Sequence, residues 1–242
     1  MNLGQLWPLK ITSLFLALSS ASMQADVVKK SFRATAKTRE GAIAYLEKHE
    51  VQYENSIIRS AYTSYERENG EVIATLKSDF SQSVTTPEHI AENKLNGDRY
   101  GVRREGDSLL MFKQDGKDQL EKLHVLKNGF AGESLAVAGQ GITYYIQANL
   151  DKIRSEKTTK LTLLIPGRLK HFAFKMEMVS EIDGVMNIEF TASYFIIRLF
   201  VPKIKVQFDV KNKQLIRYEG VSNISDTNGD IRDVVIVYDY LN

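Results

Sequence analysis

Apolar and polar side chains alternate along much of the second half of this chain. Phe172, Phe174, Met176 and Met178 share one side, with His171, Lys175 and Glu177 on the other. Met186, Ile188, Phe190 and Ala192 oppose Asn187, Glu189 and Thr191. Ile204, Val206, Phe208 and Val210 oppose Lys203, Lys205, Gln207 and Asp209. A period of two with one apolar face predicts antiparallel strands in a sheet that is wet on one side and covered on the other. Upstream, Val72, Ala74, Leu76 and Phe80 repeat the pattern, and 99–104, 108–113 and 119–126 are shorter strand candidates. Downstream, 161–165, 215–221 and 234–240 continue the meander. The pairs Asn69-Gly70, Asn96-Gly97, Asp115-Gly116, Asn128-Gly129, Asp183-Gly184 and Asn228-Gly229 suit tight hairpin turns. A single sheet of roughly nine to eleven strands follows, and at that width it curls into a half-barrel, an open barrel or a sandwich.

Helical spacing interrupts the alternation. Thr38 stands where a cap would open a helix running to Glu50, with Ala42, Tyr45, Leu46 and His49 on one face. After Gly139-Gln140-Gly141, the residues Ile142, Tyr145, Ile146, Asn149, Leu150 and Ile153 keep helical spacing, and such a helix can lie across the apolar side of the sheet. The apolar stretch 194–201, ending before Pro202, reads as one or two helical turns. The expected class is therefore β-rich α+β: one large curved antiparallel sheet with two covering helices.

The N-terminus changes the picture of where the chain works. Lys10 precedes the run Ile11-Thr-Ser-Leu-Phe-Leu-Ala-Leu18, and small residues follow at 19–22 and at Ala25. Residues 1–25 read as an export signal, cleaved after Ala21 or Ala25. Its apolar core is far shorter than the roughly 20 residues that span a bilayer. The remainder, 26–242, is expected to be one β-rich domain in the periplasm with no transmembrane span. Lys+Arg total 32 against 30 Asp+Glu, a net +2, which is too small to drive nucleic-acid binding. With 0 cysteines, disulfides, thiolate metal sites and a Cys nucleophile are excluded.

Candidate chemistry is sparse. His49, His89, His124 and His171 stand far apart, with no spacing that places two on one helix face, and no Gly-x-Ser-x-Gly elbow is present. Asp226-Thr-Asn228-Gly-Asp230 opens like a calcium loop but has Val237 where the closing Glu belongs, so a hairpin turn accounts for it. Gly139-Gln-Gly141 lacks the third glycine and Lys-Ser/Thr of a phosphate loop, which leaves entry to a helix. Lys29, Lys30, Arg33, Lys37 and Arg39 form a basic stretch that either touches anionic headgroups or is a solvated face. No metal or cofactor is expected.

The candidate site is a surface and its rim. Phe172, Phe174, Met176, Met178, Met186, Phe190 and Phe208 share one sheet face and make an adaptable apolar lining, either a core or the wall of a ligand cavity. Arg168, Glu219, Asn223 and Asp226 are the candidate polar rim, with Arg168 placed to pair with one of the carboxylates.

Three stretches carry a resemblance. They are Gly139-Gln-Gly-Ile-Thr-Tyr-Tyr-Ile-Gln-Ala-Asn-Leu-Asp151, then Leu164-Ile-Pro166-Gly-Arg168-Leu169, then Leu215-Ile-Arg-Tyr218-Glu219-Gly220-Val-Ser222-Asn223-Ile224-Ser-Asp226. Over residues 56 to 240 the chain resembles a family of uncharacterised exported proteins of Gram-negative bacteria. It departs from that family at Ile142 and Leu150, where Phe and Trp are expected. The resemblance implies an envelope location and carries no activity. A broader likeness, to the half-barrel carriers of lipoproteins, is one of fold alone.

Three functions stay open. The first is a non-enzymatic carrier of a lipid or an acylated protein on the concave face. The second is an envelope assembly factor that works through contacts with a protein partner. The third is a hydrolase with Glu219 or Asp226 as base.

Overall fold

The computed structural model describes residues 26–126, 134–194, 203–222, 224 and 233–240. Residues 1–25, expected to be an export signal, the Asn128-Gly129 turn, the apolar stretch after Tyr194, Asn223, Asp226 and the calcium-like loop lie outside the described residues. The first half contributes β1 (Val27–Lys37), β2 (Ile43–Glu54), β3 (Ile57–Glu66), β4 (Val72–Asp79), β5 (Glu88–Asn93), β6 (Arg99–Glu105), β7 (Ser108–Gln114) and β8 (Lys122–Leu126). β9 (Leu135–Ala138) leads into the helices α1 (Gly141–Ala148) and α2 (Leu150–Glu156). β10 (Thr158–Ile165), β11 (Lys170–Ile182), β12 (Val185–Ala192), β13 (Ile204–Asp209), β14 (Gln214–Val221) and β15 (Asp233–Asp239) complete the chain.

The 15 strands among the described residues join one sheet in the order β8-β7-β6-β5-β4-β3-β2-β1-β15-β14-β13-β12-β11-β10-β9. Every neighbouring pair is antiparallel except β9 with β10. The expected curved antiparallel sheet is present, and it is wider than expected. Turn chemistry sets its hairpins: Asp183 and Gly184 both take positive φ, 51° and 78°, as a two-residue turn between β11 and β12 requires.

The helix expected over 38–50 is instead the end of one hairpin and the strand β2. Thr38 and Gly41 close a turn, with the Gly41 N–H donating to Thr38 O at 3.0 Å and the Thr38 N–H to Ala42 O at 2.8 Å. Beyond it Tyr45, Glu47, His49 and Val51 are buried in alternation, while Ala42 is exposed. Tyr45 and His49 fit both a period of two and a helical face. Pairing with β1 and β3 along both edges decided for the strand.

The concave face is not empty. Ile146, Leu150 and Ile153 pack with Phe174, Met176, Met186, Ile188, Phe190 and Phe208 on β11 to β13. Tyr144 turns the other way, against Val51, Ile58 and Ala61 on β2 and β3 and Phe80 just after β4. The helical segment expected after Gly141 therefore fills the curl of the sheet, broken at Asn149 into two short helices. The two ends of the sheet meet beside it. Val102, Leu109, Met111 and Leu126 of β6 to β8 face Ala138 of β9 and Leu164 of β10. The result is an open barrel, closed at its seam by these side chains and by the Ala138 N–H bond to Thr85 O.

Candidate functional site

Phe174, Met176, Met186, Phe190 and Phe208 are buried, and Phe172 and Met178 are partly so. The structure thus brings all seven predicted lining residues together on the inner face, under α1 and α2. Withdrawing the helices would return Ile146, Leu150 and Ile153 to water, at roughly 1.5–3 kcal/mol each. Polar ties add to that. Arg154 of α2 holds Glu181 at 2.8 and 3.1 Å, and Gln140 at the start of α1 is bonded to two strands.

The glycines flanking Gln140 explain the Gly-x-Gly spacing. A Cβ on Gly141 would lie 2.2 Å from Thr85 O, and one on Gly139, at φ +49°, would lie 3.3 Å from the His89 ring. Both serve close approach of this loop to residues 85–89, as entry to the helix.

Of the predicted rim, Arg168 and Glu219 are described, and the structure does not bring them together. Arg168 is exposed in a single 3-10 turn that packs on β6 and β7, with the next strand starting at Lys170. Glu219 lies on the outer face of β14, 3.5 Å from Lys205 and 3.8 Å from Arg217, and it forms no ion pair with Arg168. The neighbouring motif residues face inward and are structural: Tyr218 OH donates to Val221 O at 2.7 Å, and Ser222 Oγ lies 3.2 Å from Tyr45 OH. Burial pushes the Tyr45, Tyr218 and Tyr238 phenols up, so they remain neutral.

Sequence reasoning missed a buried polar chain in the same interior. Glu47 Oε2 and His49 Nε2 are 2.7 Å apart, and His49 Nδ1 lies 2.9 Å from Thr63 Oγ1. Gln140 Nε2 donates to Thr63 Oγ1 at 3.0 Å, and Ser78 Oγ donates to Gln140 Oε1 at 3.0 Å. One assignment satisfies every member: Nε2–H donates to Glu47, and Thr63 donates to Nδ1. The order carboxylate, imidazole, hydroxyl resembles a nucleophile relay. However, Glu47, His49 and Thr63 are only 3%, 6% and 0% exposed, and Phe32 stacks on the imidazole at 4.4 Å. A substrate has no approach to it, and its chemistry is a tie between α1 and the barrel wall. The signal was available as the alternation Tyr45, Glu47, His49, Val51, hidden by the charged members.

The outer face offers open space instead. A groove of about 650 Å³ crosses β2 to β7. Along it Glu50, Tyr62, Lys77, Ile90, Gly101 and Phe112 follow one another in register. Gly101 adds no side chain to that row, which lets the Phe112 ring lie over it. The Arg103 guanidinium sits 5.3 Å from the Phe112 centroid and 2.6 Å from Glu121, whose carboxylate raises its pKa further. Four cations, Lys29, Lys77, Arg99 and Arg103, stand among four anions, Glu50, Asp79, Glu88 and Glu121. Among the described residues no group of three or more metal-binding side chains occurs, and no helix is long and apolar enough to cross a membrane.

These features define a β-barrel-like protein whose interior holds its own helices. No family model matches the chain, and no curated protein matches it. Among solved structures it is similar to a beta-barrel-like protein of domain of unknown function DUF1849 from Brucella abortus. The TM-score is 0.42 and the identity 9%, covering 88% of this chain and 95% of that one.

Proposed function

We propose that this chain is a non-enzymatic binding protein of the bacterial envelope that meets a protein partner at the groove on the outer face of its sheet. The carrying observation is that α1 and α2 occupy the apolar face a lipid would need. The groove's cations and anions balance, and Tyr62 and Ile90 lie between them. That lining suits a polypeptide segment carrying both signs of charge better than an anionic headgroup, which favours a one-sign surface. The relay-like triad is sealed from solvent, and Glu219, one of the two bases considered for a hydrolase, lies beside Lys205 and Arg217 on the outer face; neither supports that reading.

Photo-crosslinking in cells tests the reading. A crosslinkable residue replacing Tyr62 is expected to capture a partner, and the capture is expected to vanish when Lys77→Glu is added. The same residue in place of Phe172, on the inner face, is expected to capture none. Lipid co-purifying at one molecule per chain, with capture only from the inner face, would reverse the reading in favour of a carrier of lipid or acylated protein.

A further inference from the structure

The sheet has two ends, and they are finished differently. β9 is short, with Val137 and Ala138 fully buried, and the Ala138 N–H donates to Thr85 O at 2.9 Å. That edge is capped by the chain itself. β8 pairs with β7 on one side, and among the described residues its other side accepts and donates no backbone hydrogen bond. An uncovered strand edge is a template for another strand. Its side chains do little to discourage one: Leu123 and Val125 are each 48% exposed on the outer face, and Leu120 just before the strand is 89% exposed. Their cross-strand neighbours on β7, Leu110 and Phe112, are buried, so the exposed apolar surface belongs to β8 and to Leu120.

The sequence of β8 is complementary to itself. Opposite residues in an antiparallel pair share a face, so a two-fold axis must place one residue against its own copy. The axis at His124 is the register that pairs all 5 residues, Lys122 with Leu126, Leu123 with Val125 and His124 with His124. It sets apolar against apolar twice on the outer face, and it keeps the Lys122 charges apart. We infer that the free edge of β8 pairs antiparallel with β8 of a second copy of this chain, joining two open sheets into one. The axis is perpendicular to the sheet, so both grooves open on the same side of the dimer, and the partner proposed above would meet two of them.

One short strand per copy makes a junction smaller than the roughly 1,200 Å² of a standard stable interface. The dimer is therefore a weak one, with a dissociation constant on the order of 100 μM. Sedimentation of the purified mature chain, from about 1 μM to about 1 mM, is expected to pass from monomer to dimer across that value. Leu123→Lys with Val125→Lys places like charges opposite one another at two exposed positions, and is expected to abolish the dimer with circular dichroism and melting unchanged. The chain has 0 cysteines, so His124→Cys offers the sole thiol. Facing copies meet disulfide geometry, and oxidation is expected to link this variant about tenfold faster than Val179→Cys on the outer face of β11. A wild-type monomer at the highest concentration, a double variant that still dimerises, or equal linking rates would each overturn the inference. None of these readouts depends on the groove's partner.

Discussion

Pro87 O takes the Nδ1 proton of His89 at 3.2 Å, and the rest of that ring lies against Gly139. Burial lowers the pKa from 6.5 to about 4, outweighing the backbone bond that favours the charged form. In the unfolded chain the imidazole titrates near its ordinary value. Between those limits the unfolded state therefore binds a proton that the folded state refuses. The contribution of neutral His89 is complete above pH 6.5 and is lost as pH falls toward 4, by about 3 kcal/mol in all. Carboxylates such as Asp115 and Glu66, held below their usual range by lysines, lose stability as pH falls as well. The difference between wild type and His89→Gln isolates the histidine. Urea unfolding at pH 7 and pH 4.5 should show a steeper loss for wild type; parallel profiles for the two proteins would contradict the assignment.

α1 is short, its first turn carries no acidic residue and no side chain caps it. Isolated helices of this length are marginal in water, so tertiary contacts hold it. Gln140 supplies the polar part, bonded to Thr63 on β3 and Ser78 on β4. Gln140→Leu leaves both hydroxyls short of a partner in a buried place, at about 1–3 kcal/mol. Hydrogen exchange over residues 141–153 should accelerate about tenfold or more, while β3 and β4 exchange as before. Exchange of α1 at the wild-type rate would refute the tie. Here the legibility of the sequence divides. The helical spacing of Ile142, Ile146 and Ile153 was readable and correct. The same spacing at Ala42, Tyr45 and His49 was readable and misleading, because a short window fits both periods.

The barrel is joined around most of its girth by backbone ladders, and at one seam mainly by side chains, with the Ala138 N–H to Thr85 O bond beside them. Leu164 is buried there between Val102, Leu109, Met111 and Leu126. Leu164→Ala opens a cavity where the two ends of the sheet meet, and should cost about 2–5 kcal/mol by urea unfolding. A change within experimental error would mean that the seam contributes nothing to holding the barrel. The strand count ran low from sequence for a residue-level reason. β1, β3 and β5 carry inward Ala34, Ala36, Ala61, Thr63 and His89, small or polar groups that give a weak apolar pattern although they are buried.

By itself the sequence determined the β-rich class, the turns at Asn69-Gly70, Asn96-Gly97, Asp115-Gly116 and Asp183-Gly184, the inner face of β11 to β13 and the helical segment beside it. Each of these is written in a local period or a turn residue, and local sterics and burial enforce it. The filling of the concave face, the polar chain from Glu47 to Ser78, the outer groove and the separation of Arg168 from Glu219 were decided by tertiary structure. Those features depend on which strands become neighbours across the curl. That choice rests on the summed pairing of fifteen strands, and no short window of residues records it.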